Sequence, residues 1–170
     1  MDVLKRAIIT HGGAGSDSKD SDGPGAAAKI GMDFMGNGGS ALDAVVHAVR
    51  YLEDDPRFNA GIGSQLRVDG CTVQLDASCM TSTGQFGAVA CVEGMQNPVD
   101  IAHGVLLYSP HILIVGQGAH IFAEEQKIPL KGLKCFSGSV EGNTNKINKN
   151  NKNDRTPSCD TVGAVAFDGT

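Results

Sequence analysis

Glycine constrains this chain more than any other feature. It is gathered at Gly12–Gly15, Gly36–Gly39 and Gly61–Gly63, each group closing a short apolar or helical run. Such clusters mark tight turns and close approach of one backbone to another. The chain is therefore cut into many short elements, and no stretch nears the roughly 20 apolar residues of a membrane helix.

Between these breaks the pattern alternates. Ala7–Thr10 predicts a short strand that runs into the loop His11-Gly12-Gly13-Ala14-Gly15. Ala26–Met35 predicts a helix ending near Gly36 and Asn37. The clearest helix is Ser40–Glu53: Ser40 can cap it with Asp43 three residues on, and Ala41, Leu42, Val45, Val46, Val49 and Leu52 recur at helical spacing. Glu53, Asp54 and Asp55 read by themselves as a solvated acidic helix end, which Pro56 stops.

Leu66–Val68 and Val73–Leu75 flank Asp69-Gly70, a hairpin signal. Phe86–Val92 predicts a buried strand. Pro98–Leu107 predicts a helix with Pro near its first turn. Ile112–Val115 predicts a strand, and Ala119–Glu125 a helix. Gly142–Asn153 is dominated by Asn and Lys and has almost no apolar residue, so a flexible loop is expected over about 138–158. Order resumes in the apolar run Thr161–Phe167. Helices and strands alternate with hairpins among them, which favours a mixed α/β layered sandwich over a purely parallel sheet.

Composition narrows the function. With 170 residues and 41% hydrophobic content, one domain with a sizeable core is expected. A net charge of −5 argues against nucleic acid or a membrane surface as partner and favours a small polar substrate. The five cysteines are odd in number and form no C-x-x-C pair, so neither a disulfide framework nor a zinc site is signalled. Reduced, mostly buried thiols in a cytoplasmic protein are expected. The apolar run Ala7–Ile9 is too short for a secretory signal. His47, His103, His111 and His120 show no metal-ligand spacing.

Several segments together point to a family. They are His11-Gly12-Gly13-Ala14-Gly15; Glu53 through Ser64, with Phe58-Asn59-Ala60-Gly61 at its centre; Leu75-Asp76-Ala77-Ser78; Asn97-Pro98-Val99; Gly116-Gln117-Gly118-Ala119; and Asp160-Thr161-Val162-Gly163. In this order and spacing the chain resembles the plant-type asparaginase/isoaspartyl peptidase family, from about Ile8 to Asp168. The turn after Asp76-Ala77-Ser78 departs from it: Met80-Thr81-Ser82 stands where relatives commonly read Met-Asp-Gly.

The resemblance implies a four-layer αββα sandwich of the N-terminal-nucleophile hydrolase type. It implies cleavage between Asp160 and Thr161, which divides the chain into an α-subunit region, 1–160, and the start of a β subunit, 161–170, with Thr161 as the catalytic nucleophile. Asn59 matches an asparagine beside that nucleophile; taken alone it reads equally well as a turn residue. His11, Gly12, Gly13 and Gly15 match a flexible glycine loop near the cleavage site, where His11 reads as a packing residue before it reads as a base. The backbone carbonyls of Leu52, Glu53, Asp55, Phe58, Ala60 and Ile62 match a loop that rings a structural sodium ion. No catalytic cofactor is implied. Expected substrates are L-asparagine and β-aspartyl dipeptides, and the expected assembly is a dimer of αβ units. A glycosylasparagine hydrolase or a threonine aspartase is the alternative within the fold. Because the family's further threonines and its substrate-gripping arginine and aspartate have no counterpart before Thr170, a truncated β subunit, an incomplete sandwich and a non-catalytic fragment that binds a full-length homologue are also expectations.

Overall fold

A computed structural model of the chain describes residues 6–14, 17–67, 69–133 and 161–169. Nine regular elements follow one another: β1 (Ala7–His11), α1 (Asp22–Gly36), α2 (Ala41–Glu53), β2 (Gln74–Met80), β3 (Phe86–Glu93), α3 (Pro98–Tyr108), β4 (Leu113–Val115), α4 (Gln117–Glu125) and β5 (Gly163–Phe167). Short 3-10 turns occupy Ser18–Asp20 and Gly61–Gly63. The expected Asn/Lys-rich loop, Cys135, Cys159, Asp160, Gly15 and Thr170 lie outside the described residues.

Helix α1 starts a turn earlier than Ala26, because Pro24 sits in the first turn, where the missing N–H has no partner to lose. Its end is closed by Gly38, at φ +92°, with Gly38 N donating to Met35 O and Gly39 N to Phe34 O. Helix α2 is capped as its sequence predicts: Ser40 Oγ accepts from Asp43 N at 3.1 Å. The reciprocal contact differs from a full capping box, since Ser40 Oγ donates to Asp43 Oδ2 at 2.6 Å. A second acceptor comes from far along the chain, where Asp168 Oδ2 takes Ala41 N at 2.8 Å. The apolar stripe of α2 splits in two. Ala44, Val46, Ala48 and Leu52 are buried, whereas Leu42, Val45 and Val49 are half-buried and line an open cleft.

Two sheets form. In the first, β1 pairs antiparallel with β5, from Ala7↔Phe167 to His11↔Gly163. In the second, β2 pairs antiparallel with β3, and β3 parallel with β4 through the α3 crossover. The hairpin expected around Asp69-Gly70 is corrected here. Residues 66–67 form no strand, and the turn is held locally by Arg67 N to Thr72 O and by Asp69 Oδ1 accepting from Cys71 N and Thr72 N. The true antiparallel partner of β2 is β3, because its alternating face can be buried by α3 while the 66–67 stretch finds no such cover. A β-bulge sets Ala90 and Cys91 opposite Asp76, whose Oδ1 accepts from Cys91 N at 2.8 Å.

Each sheet has its own core. Val89 and Val92 of β3 meet Ile101, Ala102 and Val105 of α3 and Ala119, Phe122 and Ala123 of α4. On the other side Ala27, Ala48, Leu52 and Phe58 form a smaller cluster, against which Ile8, Val162 and Ala164 pack. Strand alternation then turns Ile9 and Val165 away from the helices, and both are about three-quarters exposed, at 75% and 73%. Cysteine burial differs from expectation: Cys79 is buried, but Cys71 and Cys91 are exposed because they sit on a turn and a bulge. Among the described residues, no helix is long and apolar enough to cross a membrane.

Candidate active site

The glycine loop and the Leu52–Ile62 loop meet around one aromatic ring. Phe58 is 1% exposed. A Cβ at Gly12 would stand 2.5 Å from one edge of that ring, and a Cβ at Gly23 2.5 Å from the other. Both glycines are thus required by packing, not by flexibility. Arg57 lies over the same ring at 5.4 Å and is held by Asp55 at 2.6 Å and Asp22 at 2.7 Å.

From Phe58 the site builds outward. Val162 packs on the Leu52–Phe58 cluster, which fixes the chain one residue after Thr161. His11 pairs with Gly163, and its Nε2 stands 2.3 Å from the place a Cβ of Gly163 would take. The glycine loop is therefore brought to the start of β5. Asn59 follows Phe58, and its Oδ1 accepts from Gln65 N at 2.9 Å. Thr161 is exposed. Thr161 and Asn59 both line one cleft of about 1360 Å³, bounded by α2 and β5 on one side and by β2 and β3 on the other. Thr161, Asn59, His11, Gly12 and the Leu52–Ile62 loop are thereby gathered in one region.

The loop coils on its own carbonyls. A Cβ at Gly63 would stand 2.0 Å from Phe58 O, and one at Gly61, at φ +50°, 2.2 Å from Glu53 O. Only glycine fits at either place. Leu52 O accepts from Asp55 N, Asp55 O from Phe58 N, Phe58 O from Ala60 N, and Ala60 O from Gly63 N. A carbonyl has two lone pairs, so each keeps acceptor capacity. Uncharged backbone oxygens of this kind suit a hard cation. Among the described residues no group of three or more His, Cys, Asp or Glu side chains is placed to hold a metal.

The acidic end of α2 is not a solvated one. Glu53 is 2% exposed; its Oε1 accepts from Val99 N and its Oε2 from Asn97 Nδ2, both at 3.2 Å. Burial pushes its carboxyl up to about 8, against those two hydrogen bonds. Asp54 takes Asn97 Nδ2 at 2.8 Å, Lys131 Nζ at 2.9 Å and Gln96 Nε2. Burial raises its pKa, but these bonds outweigh burial and the carboxyl ends below its ordinary value. Asp55 is held low by the Arg57 guanidinium. Sequence reading missed these roles because a carboxylate at a helix end is ordinarily exposed. Asn97 stands at the N-cap position of α3, but its side chain makes no cap bond: its amide goes to Glu53 and Asp54, and Glu53, 46 residues from Val99, accepts from Val99 N instead. Among the described residues Asn97 Oδ1 has no hydrogen-bond partner.

The fold and site thus define a mixed α/β protein with a threonine at a strand entrance and an open cleft of mixed polar and apolar lining between two sheets. Comparison with known proteins gives the family. The sequence profile of the family described as Asparaginase matches residues 4–170. The chain is 39% identical to the plant-type L-asparaginase of Pyrococcus abyssi, over 96% of this chain and 59% of the relative. It is 40% identical to the isoaspartyl peptidase/L-asparaginase of Macaca fascicularis and 39% identical to that of Homo sapiens, in each case over 95% of this chain and 56% of the relative. The chain belongs to the asparaginase family. It spans a little under three fifths of the length of these curated relatives.

Proposed function

We propose that the protein is a threonine hydrolase that matures by cutting its own chain between Asp160 and Thr161. It then splits the side-chain amide of L-asparagine and the isopeptide bond of β-aspartyl dipeptides. The observation that carries this reading is the sharing of one cleft by Thr161 and Asn59, with Val162 anchored on the Phe58 core beside them. The names of the relatives, plant-type L-asparaginase and isoaspartyl peptidase/L-asparaginase, support the substrate class.

The chemistry follows from what a threonine lacks. Its hydroxyl is a weak nucleophile and needs a base. In the uncut chain the Thr161 nitrogen is an amide and cannot serve. Attack of Thr161 Oγ1 on the Asp160 carbonyl carbon breaks the Asp160–Thr161 C–N bond, forms an ester and frees the α-amine. Water then hydrolyses the ester, leaving the Asp160 carboxylate and the Thr161 hydroxyl. The freed amine, with an ordinary pKa of about 8, accepts the hydroxyl proton near neutral pH. The hydroxyl oxygen attacks the substrate's β-carbonyl carbon, ammonia or an amino acid leaves with the proton, and water releases aspartate. Asn59 orients water or the nucleophile. A sodium ion, held by the carbonyls of Leu52, Glu53, Asp55, Phe58, Ala60 and Ile62, would fix the loop that carries Asn59 and take no part in bond making.

Within the same reading, the two sheets are the inner layers of an αββα sandwich, and the active unit is an αβ pair that dimerises. The outward apolar faces of Ile9 and Val165 support a second sheet packed against β1 and β5. The test is intact-mass analysis with N-terminal sequencing of the protein from its complete gene, together with assays of L-asparagine, a β-aspartyl dipeptide and a glycosylasparagine. A subunit beginning at Thr161 and activity on the first two substrates are expected. An uncut chain, or activity confined to the glycosylasparagine, would overturn the proposal.

A further inference from the structure

No step above uses the Glu53 side chain, yet it is the most deeply buried carboxyl described in the molecule. It grips two parts of the chain at once. Through Oε1 and Oε2 it holds Val99 N and Asn97 Nδ2 at the start of α3. Its own carbonyl occupies the place a Gly61 Cβ would need, so the backbone of the Asn59 loop passes directly against Glu53. Gln96 O stands 2.8 Å from the same point, so the segment before α3 also touches that coil.

Asn97 spends its N–H groups on Glu53 and Asp54. The contact joins the helical half that carries Asn59 to the half built on β2 and β3. Both halves wall the cleft shared by Thr161 and Asn59.

We propose that Glu53 is a positioning residue for the threonine site: its side chain, through Asn97 and Val99 N, seats the Asn59 loop on the start of α3 and so sets Asn59 in the cleft. This rests on the threonine-hydrolase reading. It goes beyond that reading in assigning a role to a side chain that touches neither substrate nor nucleophile. A displacement of about 1 Å in such a group lowers the chemical rate by up to about 10²-fold while binding survives.

The experiment uses the protein expressed from its complete gene and measures kcat and KM for a β-aspartyl dipeptide, well below the melting temperature of every variant. Glu53→Ala and Asn97→Ala should each lower kcat about tenfold or more with KM within about twofold. Glu53→Gln, which keeps the shape and one acceptor, should fall between them and the unaltered protein. In an Asn59→Ala background, Glu53→Ala should cost little more, because its effect passes through Asn59. If kcat is unchanged while the melting temperature falls, or if the two costs simply multiply, the positioning role is wrong. If Glu53→Ala does not fold, Glu53→Gln and Asn97→Ala decide on the same criteria. A Thr161→Ala protein that still turns over would overturn the threonine reading itself, a result distinct from either of these.

Discussion

The half of the molecule built on β2, β3 and β4 and the half built on β1 and β5 are held by different means. The first has a contiguous apolar core in which α3 and α4 cover one sheet face, and its partners are near in sequence. The second, among the described residues, is a two-stranded sheet whose strands lie more than 150 residues apart in sequence, over a cluster of four buried residues. Two strands alone are marginal in water. What steadies them is a set of single contacts: Phe58 between Gly12 and Gly23, Asp168 on Ala41 N, and Glu53 on Asn97 and Val99. The residues proposed for chemistry sit on this second half. The comparison teaches that the scaffold is supplied by packing area, while the site is held by a few specific contacts whose loss is local.

The sharpest break of that contrast is at Thr161. Thr161→Ala should leave the first half untouched and abolish both cleavage and turnover, by about 10³-fold or more, read by N-terminal sequencing and by released aspartate. Next comes a matched pair of core truncations. Phe58→Ala and Ile101→Ala each remove a fully buried side chain and should cost about 3 kcal/mol in denaturant titration. Only Phe58→Ala should also slow self-cleavage. Equal slowing by both would erase the distinction between the halves.

A smaller effect concerns pH. The folded-state pKa of Glu53, about 8, lies above its ordinary 4.5, so the folded protein holds that proton more tightly than the unfolded chain. The contribution is complete below about pH 4.5 and is lost as pH rises toward 8. Glu53→Gln should remove this slope. Its melting temperature should gain on the unaltered protein by about 3 °C or more between pH 5 and pH 8, measured by calorimetry. A gap that stays constant with pH would rule out a protonated Glu53. The smallest effect is at Cys79 on β2. Burial pushes its thiol up to about 11, so at pH 8 it should alkylate roughly 10²-fold more slowly than an ordinary exposed thiol. Peptide mapping should find Cys71 and Cys91 labelled before Cys79.

Much of this was legible in the residues. The capped, periodic helix from Ser40, the Pro-led helix at Pro98, the strand at Phe86 and the strand after Thr161 all stand where local pattern puts them. The hairpin at Asp69-Gly70 was misread because Asx-turn chemistry gives a tight turn with or without strands to flank it. That Asn59 belongs beside Thr161 was an expectation from family resemblance, and the two residues line one cleft. The reason Gly12 must be glycine was not, since nothing local shows that a phenyl ring from residue 58 will occupy the space.

The sequence by itself determined the elements, their order and the candidate chemistry, because helix periodicity, caps and turns depend on residues within a few positions of one another. Only the tertiary structure decided that Glu53 is buried and caps a helix 46 residues away. It also decided that Asp168 closes the start of α2, and that the Asn97 amide reaches back to Glu53 and Asp54. Burial and long-range hydrogen bonding depend on which distant segments the fold brings into contact, and a carboxylate looks the same in a sequence whether water or a helix end receives it.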